Sequence, residues 1–258
     1  MRRGLPIFAL ALLLALATAA VTDAVVQQKD GLVVHFDAEF SPHSLPRQTP
    51  APIQVTIKGA VATTDGSHPP PLKVLEIKLN RSGRIYTKGL PSCSPSRLQS
   101  TSTSEARSRC GSALVGKGRF RAEVQLGASP VDAAGEVLAF NGRVAGKPGL
   151  LLHFFGGAPV RFTLVVPLGI GHHRDREFGP VLRARIPKLA NGFGSITQIE
   201  LSLGRRWRFA GKPRSYLSAA CSAPAGFPEV PFTFAEAKFR FEGHSEITSS
   251  LEKVCRVR

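Results

Sequence analysis

Apolar and polar positions alternate with a period of two through most of the chain. In Leu32 to Phe40, Leu32, Val34, Phe36, Ala38 and Phe40 share one side, and His35, Asp37 and Glu39 share the other. That is the pattern of a strand with one buried face. Comparable runs cover Ile53 to Val61, Leu72 to Leu79, Ser112 to Leu126, Leu150 to Phe155 and Val160 to Leu168. Others are Val181 to Ile186, Ser195 to Leu203, Ser215 to Cys221, Phe232 to Phe241 and Glu246 to Val254. Asn141-Gly142, between Val137 to Phe140 and Arg143-Val144, has the residues of a tight hairpin with a primed turn.

Pro and Gly punctuate these runs at His68-Pro69-Pro70-Pro71 and Gly156-Gly157-Ala158-Pro159. No apolar pattern of helical period lasts three turns. The expectation is an all-β fold, a β-sandwich of roughly a dozen mostly antiparallel strands. One short helix is predicted from Ser102 to Arg109, because Ser102-x-x-Glu105 has the spacing of a capping box. Gly127 to Gly135 interrupts the strands and is the one candidate boundary between two β units. Turns of that length are ordinary inside sandwiches, so one domain over residues 21–258 is expected.

The start of the chain departs from this pattern. Arg2 and Arg3 precede an unbroken apolar run from Leu5 to about Ala17, followed by small residues. This is the layout of a secretory signal peptide over residues 1–20, cleaved after Ala19 or Ala20. An uncleaved anchor is the alternative, since Leu5 to Val21 lies near the lower limit of the roughly 17 to 25 residues that span a bilayer. No cysteine follows the run to carry a lipid. With the leader removed, no transmembrane segment is expected in the mature chain.

Charge and cysteines then set the chemical context. Thirty-four Lys and Arg face 18 Asp and Glu, for a net charge of +16, and loss of Arg2 and Arg3 leaves +14. Such a surplus outside a cell favours anionic cell-surface polymers. Arginine outnumbers lysine and Ala, Gly and Pro are abundant, so a composition set by the genome is the competing explanation. Cys93, Cys110, Cys221 and Cys255 are an even set in an exported chain, the signature of disulfides. Of the three connectivities, the local one, Cys93 with Cys110 and Cys221 with Cys255, is favoured. No Cys-x-x-Cys spacing suggests a metal, and nothing calls for a cofactor.

Several motifs invite chemistry. Gly111 to Gly118 nearly spells a phosphate-binding loop, but Gly118 stands where Ser or Thr must hold magnesium, and the following residues continue as a strand. Its glycines are read as a bend or bulge. His172-His173-Arg174-Asp175-Arg176-Glu177 concentrates imidazoles and carboxylates, and Asp37 with Glu39 offers a carboxylate pair on one strand face. Each has an ordinary reading too, a polar turn and a solvated strand face.

The densest basic segment is Arg205-Arg206-Trp207-Arg208-Phe209, with Lys212 and Arg214 close behind. Arginines interleaved with aromatics grip polyanions by charge and stacking. Strand alternation puts Arg206 and Arg208 on one face and Arg205, Trp207 and Phe209 on the other. The alternative is a basic hairpin whose aromatics cap the core. One Trp and two Tyr are too few for a broad platform that binds neutral sugars.

Gly89-Leu90-Pro91-Ser92-Cys93, the loop to Cys110, Gly111 to Gly118, Arg214 to Cys221 and Cys255-Arg256-Val257-Arg258 together resemble exported β-rich proteins of high-GC Gram-positive bacteria. The resemblance implies export and an all-β fold, and carries over no catalytic or binding residue. The expected protein is non-catalytic and secreted or associated with the cell envelope. Its expected partners are anionic surface polymer or another envelope protein, not a specific nucleic acid. An extracellular hydrolase of carbohydrate or ester substrates is the alternative, and it requires Asp37, Glu39, His172, His173 and Asp175 to converge.

Overall fold

The computed structural model describes residues 25–258 except 128, 158, 160 and 174. The expected leader, Ala158, the start of the run at Val160, and Arg174 therefore lie outside the described residues. The chain opens with β1 (Val25–Lys29), β2 (Leu32–Ser41), β3 (Ser44–Leu45), β4 (Ala51–Pro52), β5 (Gln54–Thr63), β6 (Leu72–Asn80) and β7 (Gly83–Ile85). Two short helices follow, α1 (Pro95–Leu98) and α2 (Thr103–Cys110), then β8 (Leu114–Leu126), β9 (Ser129–Val144) and β10 (Lys147–Gly156). Next come β11 (Phe162–His172), β12 (Phe178–Arg185), β13 (Gly194–Leu203), β14 (Arg206–Phe209) and β15 (Lys212–Ser215). The last strands are β16 (Leu217–Ala219), β17 (Glu229–Phe241) and β18 (Ile247–Val257).

The fold is all-β. Thirteen strands form one sheet in the order β1-β2-β5-β13-β8-β9-β10-β11-β12-β6-β17-β18-β3, in which β3 alone pairs in parallel. The sheet curls until β18 lies against β1 and β2. The two layers expected of a sandwich are thus opposite halves of one sheet. Inward residues such as Phe36, Phe120, Phe154, Leu201 and Leu251 fill the space between them.

Among the described residues no strand pairing closes the ring between β2 and β18. Side chains close it instead. Lys253 Nζ reaches Asp37 Oδ1 at 3.0 Å, Lys29 Nζ donates to the Glu246 carbonyl at 3.1 Å, and the Ser245 hydroxyl donates to Asp30. Beneath this seam Leu32, Val34, Phe241 and Ile247 pack together.

The Asn141-Gly142 expectation is corrected by the structure. Both residues lie inside β9, and the β9–β10 turn is Ala145-Gly146, each in the left-handed region with φ of 48° and 77°. Two consecutive left-handed residues are what a primed two-residue turn requires. Asn141 clamps the disulfide loop instead. Its Nδ2 donates to the Pro91 carbonyl at 2.9 Å, and its carbonyl accepts the Cys93 N–H at 2.9 Å. Gly142 is required there because a Cβ would fall 2.7 Å from Leu151 and 3.0 Å from the Cys93 carbonyl.

Both expected disulfides form, Cys93–Cys110 and Cys221–Cys255. The first encloses both helices. Ser102 and Glu105 make both halves of the capping box on α2, while α1 is a further single turn that the sequence reading did not include. Ala128 aside, which lies outside the described residues, the composition break from Gly127 to Gly135 falls between β8 and β9 and in the first part of β9. Gly116 borders a bulge in β8, as read from sequence, and a Cβ on Gly118 would fall 1.9 Å from the Glu200 carbonyl. Among the described residues no helix is long and apolar enough to cross a membrane.

Candidate functional site

The basic segment folds as a separate two-stranded ribbon, β14 paired with β15. Ala210-Gly211 turns it, with φ of 50° and 73°. The register sets Trp207 opposite Arg214 and Phe209 opposite Lys212, with Arg206 opposite Ser215 and Arg208 opposite Pro213. Cross-strand partners share a face, so Trp207, Phe209, Lys212 and Arg214 lie on one side and Arg206 and Arg208 on the other.

The aromatic side anchors the ribbon. Trp207 stacks on Tyr86 with ring centroids 5.9 Å apart, and the Arg214 guanidinium lies 5.0 Å from the same ring. Phe209 covers Gly89 so closely that a Cβ there would fall 2.0 Å from the ring. The second tyrosine is also at the root. The Tyr86 N–H donates to the Tyr216 carbonyl at 2.9 Å, and the Tyr216 N–H donates to that of Arg205 at 2.8 Å. Both tyrosines and the lone tryptophan therefore gather at the base of one ribbon.

The six residues predicted to bind divide in two. Arg205 Nη1 donates to the Ser112 and Leu114 carbonyls at 2.8 Å each, tying the ribbon to the start of β8. With Trp207 and Arg214, it serves the fold. Arg206, Arg208 and Lys212 are exposed, and none of them forms an ion pair among the described residues. The strand rise of about 3.4 Å per residue sets Arg206 and Arg208 about 7 Å apart along β14. Lys88, exposed in the loop that Phe209 covers, is a further cation beside the ribbon. The sequence reading missed it, since it is remote in sequence and is brought near only by the packing of Tyr86 and Gly89 against the ribbon.

The acidic candidates sit elsewhere. Asp37 belongs to a row of alternating charge across the outer face of the sheet: Lys253, Asp37, Lys58, Glu200, Arg119, Glu136 and Arg107. Asp37 lies opposite Lys58, Lys58 opposite Glu200, Glu200 opposite Arg119 and Arg119 opposite Glu136. Arg119 pairs with Glu200 at 3.1 Å and Arg107 approaches Glu136 at 3.7 Å. Asp37 is buried by the seam, where alternation alone would leave it in solvent. Glu39 is exposed on the same strand.

His172, His173 and Asp175 lie at the β11–β12 turn. Asp175 Oδ1 accepts the N–H groups of Phe178 at 2.5 Å and Glu177 at 2.8 Å. Those backbone bonds hold its carboxyl below the usual range, the Phe178 N–H contributing most. His173 Nδ1 stands 2.7 Å from Asp175 Oδ2. Asp175 therefore shapes a turn, and none of the four best-formed concavities among the described residues draws on both this group and Asp37 with Glu39. Among the described residues no three His, Cys, Asp or Glu gather as a metal site would need.

The ribbon borders none of these concavities. Its cations project from a surface, an arrangement that engages an extended chain of charges better than a small molecule. No protein-family model matches the chain, and neither does any curated protein or solved structure.

Proposed function

We propose that the protein is exported and works without catalysis in or near the cell envelope, holding anionic surface polymer through the β14–β15 ribbon. The observation that carries this reading is the division of the ribbon. Trp207, Phe209 and Arg214 lock one face, while Arg206 and Arg208 on the other face, together with Lys212, stand exposed and form no ion pair among the described residues. The leader-like first 20 residues, the two disulfides and the net charge of +16 support export and an anionic partner.

The test is retention of the protein on anionic wall polymer and on neutral glucan, each at low and moderate salt. Salt-sensitive retention on the anionic polymer alone is expected, and Arg206→Gln with Arg208→Gln and Lys212→Gln should weaken it and flatten its salt dependence. Equal retention of that triple variant would remove the ribbon from the site. No retention on either matrix would reduce the charge to composition.

A further inference from the structure

We infer that the interior of the curled sheet holds a binding site for one aliphatic chain, entered beside the turn before β13. An apolar cavity of about 150 Å³ lies at that end of the sheet, lined by Leu75, Leu152, Phe154, Val166, Ile196 and Phe239 among others. Interiors of proteins are packed with few voids larger than a water molecule, and an apolar cleft of this size that opens to solvent leaves apolar surface unburied until a ligand covers it. An engineered cavity of about this volume takes up benzene and excludes water. The space therefore suits about six carbons of a chain.

The rim has the character the rest of such a ligand needs. Leu189, Gly194 and Ser195 border the cavity, and the turn between them carries Phe193, 62% exposed. The Phe193 carbonyl accepts the Gln125 N–H at 2.7 Å, which sets Phe193 beside Leu126, itself 54% exposed. These are two of the five large apolar side chains that stand out in solvent among the described residues. Phe193 directly precedes Gly194, and the exposed Lys188 directly precedes Leu189, so both flank residues of the cavity lining. Apolar body inside, apolar rim and a cation outside together fit a single-chain amphiphile with an anionic head. The turn is also held away from relaxed geometry, with Ala190 and Asn191 left-handed at φ of 47° and 59°.

This site shares no residue with the ribbon and stands or falls apart from it. The probe is laurate, titrated calorimetrically into the purified protein and scored by displacement of a naphthylamine dye. Saturable binding is expected. Val166→Phe, which fills the cavity, should weaken binding at least tenfold with an unchanged or raised Tm, and Leu75→Phe is the second filler if the first folds poorly. Arg206→Gln with Arg208→Gln should bind laurate as the parent does, separating chain capture from attraction to the ribbon. Cosedimentation with phosphatidylglycerol vesicles, lost in Phe193→Asp, would make a membrane lipid the source of the chain. Laurate binding without cosedimentation would make it a free acid. Absence of laurate binding, or binding undiminished in a folded cavity-filled variant, would overturn the inference.

Discussion

Lys253 of β18 and Asp37 of β2 meet at 3.0 Å across the line where the curled sheet closes on itself, each side chain only 12% exposed. The pair stands where strand hydrogen bonds would otherwise join the two ends. Removing one partner strands a charge in a nearly dry site. Asp37→Ala or Lys253→Ala is expected to cost about 2 to 4 kcal/mol in urea unfolding, and Asp37→Leu with Lys253→Met together less than either alone. Additive losses in that double variant would show that the two side chains do not act as a pair.

His153 offers a pH-dependent counterpart. It is fully buried, and Thr101 spends its hydroxyl proton on the Leu98 carbonyl, so His153 Nε2 must donate to Thr101, 2.9 Å from Oγ1 and 3.0 Å from the carbonyl. Nδ1 has no partner among the described residues, and burial pushes the ring's pKa down. Below the unfolded value of about 6.5 the unfolded chain takes a proton that the fold resists. The contribution of His153 is therefore full above that pH and is lost as pH falls toward the depressed folded value, by up to about 1.4 kcal/mol per unit. His153→Gln keeps an N–H for Thr101 without titrating. Its stability, measured by denaturant between pH 7.5 and 5, should fall less steeply than the parent's.

The two disulfides should differ in effect. Cys221–Cys255 closes 34 residues and Cys93–Cys110 closes 17. Chain entropy alone assigns about 4 kcal/mol to the first and about 3 kcal/mol to the second. Paired Cys→Ala variants unfolded in urea would check the order, and a larger loss from the shorter loop would show that α2 and Asn141 depend on their bridge beyond its effect on the unfolded chain.

Within the ribbon, stability and binding should separate by residue. Arg205→Ala leaves two carbonyls without their charged donor and is expected to cost about 1.5 to 3 kcal/mol. Arg206→Gln and Arg208→Gln should stay within about 0.5 kcal/mol of the parent while losing retention on anionic polymer. Unfolding midpoints and retention measured on the same samples decide this. If Arg205→Ala alone abolished retention at unchanged stability, the division of roles drawn above would fail.

The long strands were legible because their side chains alternate over eight or more residues. β2, β5, β13, β17 and β18 begin and end within about three residues of the expected limits. Short pieces were not. β1 carries the polar edge sequence Val25-Val26-Gln27-Gln28-Lys29, and β4 and β7 exist through the pairing they make with β16, which lies within the expected run from Ser215 to Cys221. Asn141-Gly142 misled because the same residue types that favour a turn also allow a carboxamide clamp and a close backbone approach. Asp37 misled because its burial depends on β18, more than two hundred residues away. The ribbon faces followed from alternation, but the cost of holding them, with Arg205 and Arg214 diverted to carbonyls and a ring, depended on partners far along the chain.

The seam also fixes an order of events. The strands that meet across it, β1 and β2 on one side and β18 on the other, are the first and last of the described chain. Their contacts cannot form until the final strand has left the ribosome or, in an exported chain, the translocation channel. Until then the lateral edges of a long, apolar sheet stay open to pairing with other chains. The bond from Cys255 to Cys221 ties β18, which bears one side of the seam, to the segment after β16.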